Sequence, residues 1–320
     1  MKERRKETYT NRVRDLAHRI VDASSAILTI DNRALESTLL QRLQSFRNEL
    51  QKGSDPFVED SISAENELGL NLFLDVINFC YQDPFTRKSY EYISAQGKAI
   101  PGAMGLKAAM TESGINWGNT KEVSGLTSEK WSKIIQLDRN KEFYLGEERG
   151  RRVAGFAREL ADSGFGNISH FLVFAQYDTE ILLPVLANSG YFTDEFEKRS
   201  QLAANMMNGV LRRRFYREFK GMEDLTVMAD YRLPQLMYNF DTIKLSEDLS
   251  GKLTRREIIK TGSPEEMALR AASIVVGERL SKLMRITEGE TDSLLWRLAV
   301  DLGLNNKLSI PHMLVPTDKY

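Results

Sequence analysis

One carboxylate inside an apolar stretch is the clearest candidate for chemistry in this sequence. Asp230 lies in residues 225–240, LTVMADYRLPQLMYNF, with apolar side chains before and after it. Pro234 lacks a backbone donor and disfavours helical angles at the residue before it, so a helix start, break or kink is expected here. A poorly solvated carboxylate can act as an acid, a base or a stabiliser of positive charge. It can also cap the following helix, and the two roles are compatible.

The sequence contains no motif that is typical of metal-dependent or nucleophilic catalysis. His18, His170 and His312 are far apart, and neither HExxH nor paired cysteines occur, so we predict no metal site. The sequence also lacks GxSxG, P-loop and GxGxxG motifs, so no cofactor is expected. Cys80, the single cysteine, is interpreted as a small core residue within an apolar helix.

The composition is that of a globular protein, with 42% hydrophobic and 28% charged residues in 320. A formal net charge of −1 argues against polymeric nucleic acid as a partner, although residues 212–214 and Arg217 could form a local basic patch. The lone cysteine fits a reducing compartment. Neither a secretory h-region nor an apolar run long enough for a membrane span occurs. These features predict a soluble cytoplasmic protein without a membrane partner.

The elements that must position the candidate residues are predicted to be helices. Hydrophobic periodicity and capping signals predict helices over residues 4–30, 31–50, 61–81, 102–112, 145–162, 193–215, 263–284 and 291–302, and one around Trp131. Residues 83–101 fit either a short hairpin or an irregular loop. The fold class is therefore all-α, with a single large helical domain over 1–320. An N-terminal helical pair is expected within residues 1–52.

Four short motifs carry a resemblance to a known family. They are NFCY at 78–81, FEKRSQ at 196–201, MADYRLPQ at 228–235 and DSLLW at 292–296. In this order the motifs resemble those of the queuosine salvage protein family, over residues 60–320. The resemblance implies a helical fold related to helix-hairpin-helix DNA glycosylases. It also implies hydrolysis of the bond between a 7-deazaguanine base and the ribose of queuosine 5′-monophosphate, which releases queuine for salvage into tRNA modification.

The resemblance assigns the catalytic roles to Asp230 and Lys198. Breaking an N-glycosidic bond builds positive charge on the sugar, so a carboxylate near the anomeric carbon can stabilise that charge and position water. Lys198 resembles an active-site lysine that could keep Asp230 ionised or contact the phosphate. Alternatively, Lys198 is an exposed helical partner of Glu195.

The resemblance also predicts a substrate-binding set. Its members are Met228, Tyr231, Arg232, Asn78, Phe79, Asp292, Ser293, Trp296, His312 and Tyr320. Asp292 would accept hydrogen bonds from the base edge, or simply start a helix. Met228 would pack on the base or fill core, and Trp296 is interpreted as core. Asn78, on a buried helix, needs partners that a ligand or the backbone could supply. His312, Thr317 and Tyr320 would close the pocket over the phosphate, or belong to a frayed terminus.

The chain departs from the family pattern at several positions. Arg297 replaces an expected acidic residue, residues 313–316 lack expected arginines, residues 80–83 lack an aromatic run, and no histidine lies within residues 55–75. Three alternatives therefore stay open: a related nucleoside as substrate, a glycosylase that acts on nucleic acid, or a non-catalytic nucleotide-binding protein.

Overall fold

The computed structural model describes residues 8–50, 61–137, 143–304 and 307–319. Contacts divide the chain into two compact units. Unit 1 comprises Met1–Phe57, Glu195–Lys198 and Gly221–Val315, and unit 2 comprises Val58–Asp194, Arg199–Lys220 and Pro316–Tyr320. The single domain expected from the sequence stays a prediction.

Helices dominate the described residues. In chain order the elements are α1 (Asn11–Ala23), β1 (Leu28–Ile30), α2 (Asn32–Ala34), a π-helical turn (Leu35–Leu39), α3 (Leu40–Leu50), α4 (Ala64–Val76), β2 (Glu91–Ile93), β3 (Ala99–Pro101), α5 (Gly102–Glu112), α6 (Thr120–Ser124), α7 (Ser128–Ile134), α8 (Gly146–Asp162), α9 (Ile168–Phe174), α10 (Thr179–Asn188), α11 (Lys198–Phe215), a 3₁₀ turn (Met222–Asp224), α12 (Arg232–Asn239), β4 (Ile243–Leu245), α13 (Glu247–Thr254), α14 (Pro264–Met284) and α15 (Glu288–Leu304). The predicted all-α class is confirmed.

Strands are short and form two antiparallel pairs within the described residues. β2 pairs with β3, which confirms the hairpin alternative for residues 83–101. β1 pairs with β4, with Leu28 opposite Leu245. The predicted helix over residues 4–30 is therefore wrong at its C-terminal end, since α1 stops at Ala23. In the described part of the chain, no helix is long and apolar enough to cross a lipid bilayer.

Helix α14 is the central element of unit 1. It begins as predicted: the Ser263 hydroxyl accepts from the Glu266 backbone N–H at 3.3 Å, and Pro264 occupies the first turn. Most of its residues are buried. Its apolar face packs against Val13 and Ala17 of α1. The N-terminal helix thus belongs to the same core as Ala229, the residue before Asp230.

Two further predicted helix boundaries are wrong. The helix predicted over 61–81 ends at Val76, so Asn78 and Cys80 follow it rather than lie within it. The reason is that the buried Arg149 guanidinium donates to the carbonyls of residues 77, 79 and 80, which satisfies them without a helix. Helix α11 starts at Lys198 rather than at Thr193, because Glu197 adopts a left-handed backbone at φ 54°.

Gly277 of α14 predicts a test of this packing. A Cβ at Gly277 would lie 2.2 Å from Cγ2 of the buried Val227, so Gly277→Ala should lower the free energy of unfolding by about 1–3 kcal/mol. Gly209 of α11 is a matched control, because nothing lies within 4 Å of the position that a Cβ would take there. Gly209→Ala should instead stabilise by roughly 0.5–1 kcal/mol. Urea denaturation followed by circular dichroism measures both, and equal stabilisation by the two alanines would contradict the packing.

Candidate active site

An extended segment of unit 1, residues 225–230, carries the candidate catalytic carboxylate. It is buried from Leu225 to Ala229 but belongs to no helix or sheet, so side chains must satisfy its backbone polar groups. Arg14 Nη2 donates to the Leu225 carbonyl at 2.9 Å. Asp292 Oδ1 accepts from the Met228 N–H at 2.9 Å. Arg270 Nε donates to the Ala229 carbonyl at 3.0 Å. Helices α1, α14 and α15 thus hold the segment directly.

The arginines that hold this segment are themselves buried and paired. Arg14 forms a 2.9 Å ion pair with Glu288, and both side chains are 8% exposed. Arg270 is fully buried, lies 3.7 Å from Glu266 and has its guanidinium carbon 4.9 Å from the Phe196 ring centroid. Removing one partner of such a pair leaves a buried charge uncompensated, which costs more than the pair itself contributes. These contacts fix the path of the backbone up to Asp230.

Asp230 is half-buried and caps α12, as its alternative interpretation predicted. Its Oδ1 accepts from the backbone N–H groups of Arg232 at 2.8 Å and Leu233 at 3.2 Å. Both bonds use the same oxygen. Oδ2 makes no hydrogen bond to any residue that the structure describes. This oxygen is available for a water or a sugar, which is what the predicted catalytic role requires.

Asp292 is the second carboxylate of the site and is 7% exposed. Burial, reinforced by the Asp230 charge, raises the pKa of Asp292 well above its ordinary value, against the opposing effects of the Met228 N–H and the Lys198 charge. The neutral acid is therefore favoured at Asp292. Two carboxylates whose surroundings differ in this way can divide the roles of acid and anion between them.

Lys198 is buried, at 7% exposed, so the alternative prediction that it is exposed is wrong. Its charge lies close enough to lower the pKa of Asp292. The residue before it, Glu197, is buried, pairs with Arg12 and holds a left-handed backbone at φ 54°. A non-glycine residue in that region is strained, and such strain persists where the surroundings impose it. Helix α11 begins immediately after it, at Lys198, whose charge acts on Asp292.

The remaining predicted residues of unit 1 have varied environments. Met228 is 2% exposed and contributes its N–H to Asp292. The Ser293 hydroxyl donates to the Gly289 carbonyl at 3.1 Å, within α15. Trp296 is half-buried rather than a fully buried core residue. Tyr231 is 8% exposed and meets the His312 ring edge-on, with centroids 6.1 Å apart.

Asn78 and Phe79 belong to unit 2 and have structural partners there. Asn78 Nδ2 donates to Asp75 Oδ1 at 2.8 Å. The Arg149 guanidinium carbon lies 4.0 Å from the Phe79 ring centroid. A ligand role for either residue stays a prediction. Within the part of the chain described, no group of three or more His, Cys, Asp or Glu residues is placed to bind a metal ion.

The C-terminal tail is not frayed where the structure describes it. The Arg199 Nε donates to the Lys319 carbonyl at 2.6 Å, and Arg152 pairs with Asp318 at 3.0 Å. Thr317 is 4% exposed. The predicted contribution of Tyr320 lies outside the described residues. His312 lies in unit 1 and lines a cavity with Arg232.

Sequence reasoning missed Arg14 and Arg270, which hold the backbone before Asp230. Arg14 looks like the polar face of an amphipathic helix, and nothing local distinguishes it from a surface arginine. Arg270 carried a signal, because it lies within the apolar run ALRAASIVV at 268–276, where a charge requires a buried partner.

The chain is similar to known proteins of one family. A family model described as queuosine salvage protein matches residues 60–314. A protein of Sphaerobacter thermophilus named queuosine 5′-phosphate N-glycosylase/hydrolase is 27% identical over 244 residues, which cover 70% of this chain and 73% of that protein. Proteins with the same name from Nematostella vectensis and Bos taurus are each 26% identical, over 65% and 69% of this chain and 63% and 71% of their own lengths.

The raised pKa of Asp292 predicts a pH-dependent gain in stability for Asp292→Asn. The folded protein retains a proton that the unfolded chain releases, so the stability that this proton confers is lost as pH rises through the folded-state pKa. Asparagine stays neutral and can still accept the Met228 N–H. The variant should therefore raise Tm most at pH 7–8 and least near pH 4. Asp301→Asn, at an exposed position of α15, is the control. A gain that is the same at every pH would argue against a protonated Asp292.

Proposed function

Because the chain belongs to the queuosine salvage protein family, we propose that it is an N-glycosidase that hydrolyses queuosine 5′-monophosphate and releases queuine. The names of the relatives support the reaction and the substrate. A single observation in this chain carries the proposal: the available carboxylate oxygen of Asp230 lies in the same unit as two buried ionisable side chains, Asp292, whose pKa is raised by burial, and Lys198.

Asp230 supplies the negative charge that this reaction needs. As the bond from the anomeric carbon to the base nitrogen breaks, its electrons leave with the base and positive charge develops on the sugar. The half-buried carboxylate stabilises that charge more effectively than it would in bulk water. The oxygen of a water molecule then bonds to the anomeric carbon and its proton passes to Asp230 or to solvent, while the departing base takes up a proton from solvent. The N–H bonds at Oδ1 hold the carboxylate in one orientation throughout.

Asp292 is proposed to recognise the base, as a neutral acid rather than as the acceptor expected from the sequence. A protonated carboxyl presents one donor and one acceptor, which complement the mixed edge of a deazaguanine ring. Its O–H can also hydrogen-bond to the departing base as negative charge develops there. The Lys198 charge acts on Asp292, where it opposes the rise in pKa, and we propose that it also balances the charge of the Asp230 carboxylate. Arg297 stands where the family pattern has an acidic residue. The proposed substrate class therefore also includes a nucleotide with a related base.

A role on polymeric nucleic acid gains no support from the basic residues that suggested it. Arg213 and Arg214 both contact the buried carboxylate of Glu67, and the Arg217 guanidinium carbon lies 4.3 Å from the Tyr177 ring centroid. These guanidinium groups have intramolecular partners. A free small-molecule nucleotide is therefore the proposed substrate. A cytoplasmic location stays a prediction, which the presence of a single cysteine supports.

The proposal predicts that purified protein releases queuine from queuosine 5′-monophosphate. Asp230→Asn should lower kcat by about 100- to 10,000-fold, because it removes the charge that stabilises the sugar cation while keeping the shape. Free base detected by mass spectrometry over time measures the reaction. Asp241→Asn, the same change at an exposed position after α12, should leave the rate near that of the parent.

Two results would contradict the proposal. One is undiminished release of base by Asp230→Asn. The other is thermal stabilisation of the parent by the nucleotide without any turnover, which would identify a binding protein instead.

A further inference from the structure

A cavity of about 360 Å³ opens in unit 1 beside the start of α12. Its walls include Arg232, Gln235, Arg256, Gly303 and His312, together with residues 308–311. Its volume is sufficient for a phosphoryl group and part of a sugar. None of the described residues that line it is an aspartate or a glutamate. The cavity therefore presents positive charge without a lining counter-ion.

The guanidinium groups of Arg232 and Arg256 both affect His312 at the cavity wall. Burial, together with the charges of Arg232 and Arg256, lowers the pKa of His312 to about 3. His312 Nδ1 contacts the Met313 carbonyl at 2.8 Å, which fixes the ring against the cavity wall. The imidazole is thus kept neutral by its buried position near two cations. An anion in the cavity would relieve this accumulation of positive charge.

Arg232 has donor capacity to spare. Burial lowers the pKa of its guanidinium group, and the Asp230 charge partly offsets that effect. Of its five N–H donors, one reaches Gln235 Oε1 at 3.3 Å, and the structure describes no other acceptor for this side chain. A Cβ at Gly303 would lie 3.3 Å from Arg232 Nη1, so the glycine leaves room for the guanidinium group.

Arg256 lines the cavity, and its backbone is left-handed at φ 56°. Its Nε is buried and has no hydrogen-bond partner among the described residues. Arg255, next to it, is exposed and pairs with Glu257 at 2.6 Å. The Ile259 N–H donates to the Leu314 carbonyl at 2.9 Å, which joins this turn to the segment after His312. A buried, unsatisfied N–H is costly, and a charged oxygen would satisfy it.

We propose that this cavity binds a phosphoryl group through Arg232 and Arg256, and that it receives the 5′-phosphate of the nucleotide substrate. The assignment of the substrate 5′-phosphate to this cavity rests on the proposed function. Arginine is suited to the role because its planar donors match the oxygens of phosphate. The position of the cavity also suits this role. The backbone N–H of Arg232 donates to Asp230 Oδ1, so the Arg232 cation and the candidate catalytic carboxylate both lie at the start of α12.

Binding of inorganic phosphate to the full chain tests the site independently of catalysis. Calorimetry at fixed ionic strength should show binding to the parent, and Arg256→Gln should weaken it by roughly tenfold or more through loss of a charge-assisted hydrogen bond. Arg255→Gln removes the same charge from the same turn and should bind phosphate like the parent. Equal weakening by both variants, or unchanged binding to Arg256→Gln, would overturn the site.

The source of the phosphoryl group is tested by comparing kcat/KM for the nucleoside 5′-monophosphate and for the unphosphorylated nucleoside. Arg256→Gln should lower the value for the monophosphate by roughly tenfold and leave the nucleoside value near that of the parent. If Arg256→Gln loses phosphate binding but keeps the parent's ratio of the two kcat/KM values, the occupant is free phosphate and the substrate assignment is overturned. If neither compound is turned over but phosphate binding still depends on Arg256, the proposed function is wrong and the phosphate site is still supported.

Discussion

The structure around the candidate active site depends on satisfying the backbone of one buried segment that forms neither helix nor sheet. Residues 225–229 are shielded from water, and each unpaired N–H or carbonyl there would cost about 1–3 kcal/mol. Arg14, Arg270 and Asp292 supply the missing partners from α1, α14 and α15. Because these partners come from helices packed in one core, the segment has little freedom. The backbone of Asp230, which follows directly, is therefore also held in one position.

The same burial sets the chemistry of the site. Asp292 holds the segment through the Met228 N–H, and the low exposure that makes this contact strong also favours its neutral form. Asp230 is only half-buried and keeps one oxygen available. A neutral carboxyl group and a reactive carboxylate thus differ through burial rather than through residue type. Functional sites commonly carry such a cost in stability.

The sequence predicted what local chemistry determines. The start of α14 followed from Ser263, Pro264 and Glu266, because a cap and its first turn need only neighbouring residues. The capping role of Asp230 followed from Pro234 in the same way. The end of α4 did not, because it depends on Arg149, which lies about seventy residues along the chain. The motifs singled out Asp230, Lys198 and Asp292, and the structure places all three in unit 1.

The features that sequence reasoning missed are tertiary. Arg14 and Arg256 look like surface arginines, and only the folded chain reveals that one binds a buried carbonyl and the other faces a cavity. Lys198 looked like part of a charged helix face that opens at Thr193. The left-handed Glu197 delays the helix and turns the lysine inward, an outcome that periodicity cannot predict because it depends on the surroundings of a single residue.

The central claim is that burial keeps Asp292 protonated beside the Asp230 carboxylate, and its most direct test is a titration of the side-chain carboxyl carbons. Carbon-13 NMR of protein labelled at the aspartate carboxyl positions should contain one signal that titrates well above the ordinary range near pH 4, and that signal should be missing from Asp292→Asn. If every observed aspartate titrates in the ordinary range, or if the displaced signal persists in Asp292→Asn, the division of roles between the two carboxyl groups is wrong.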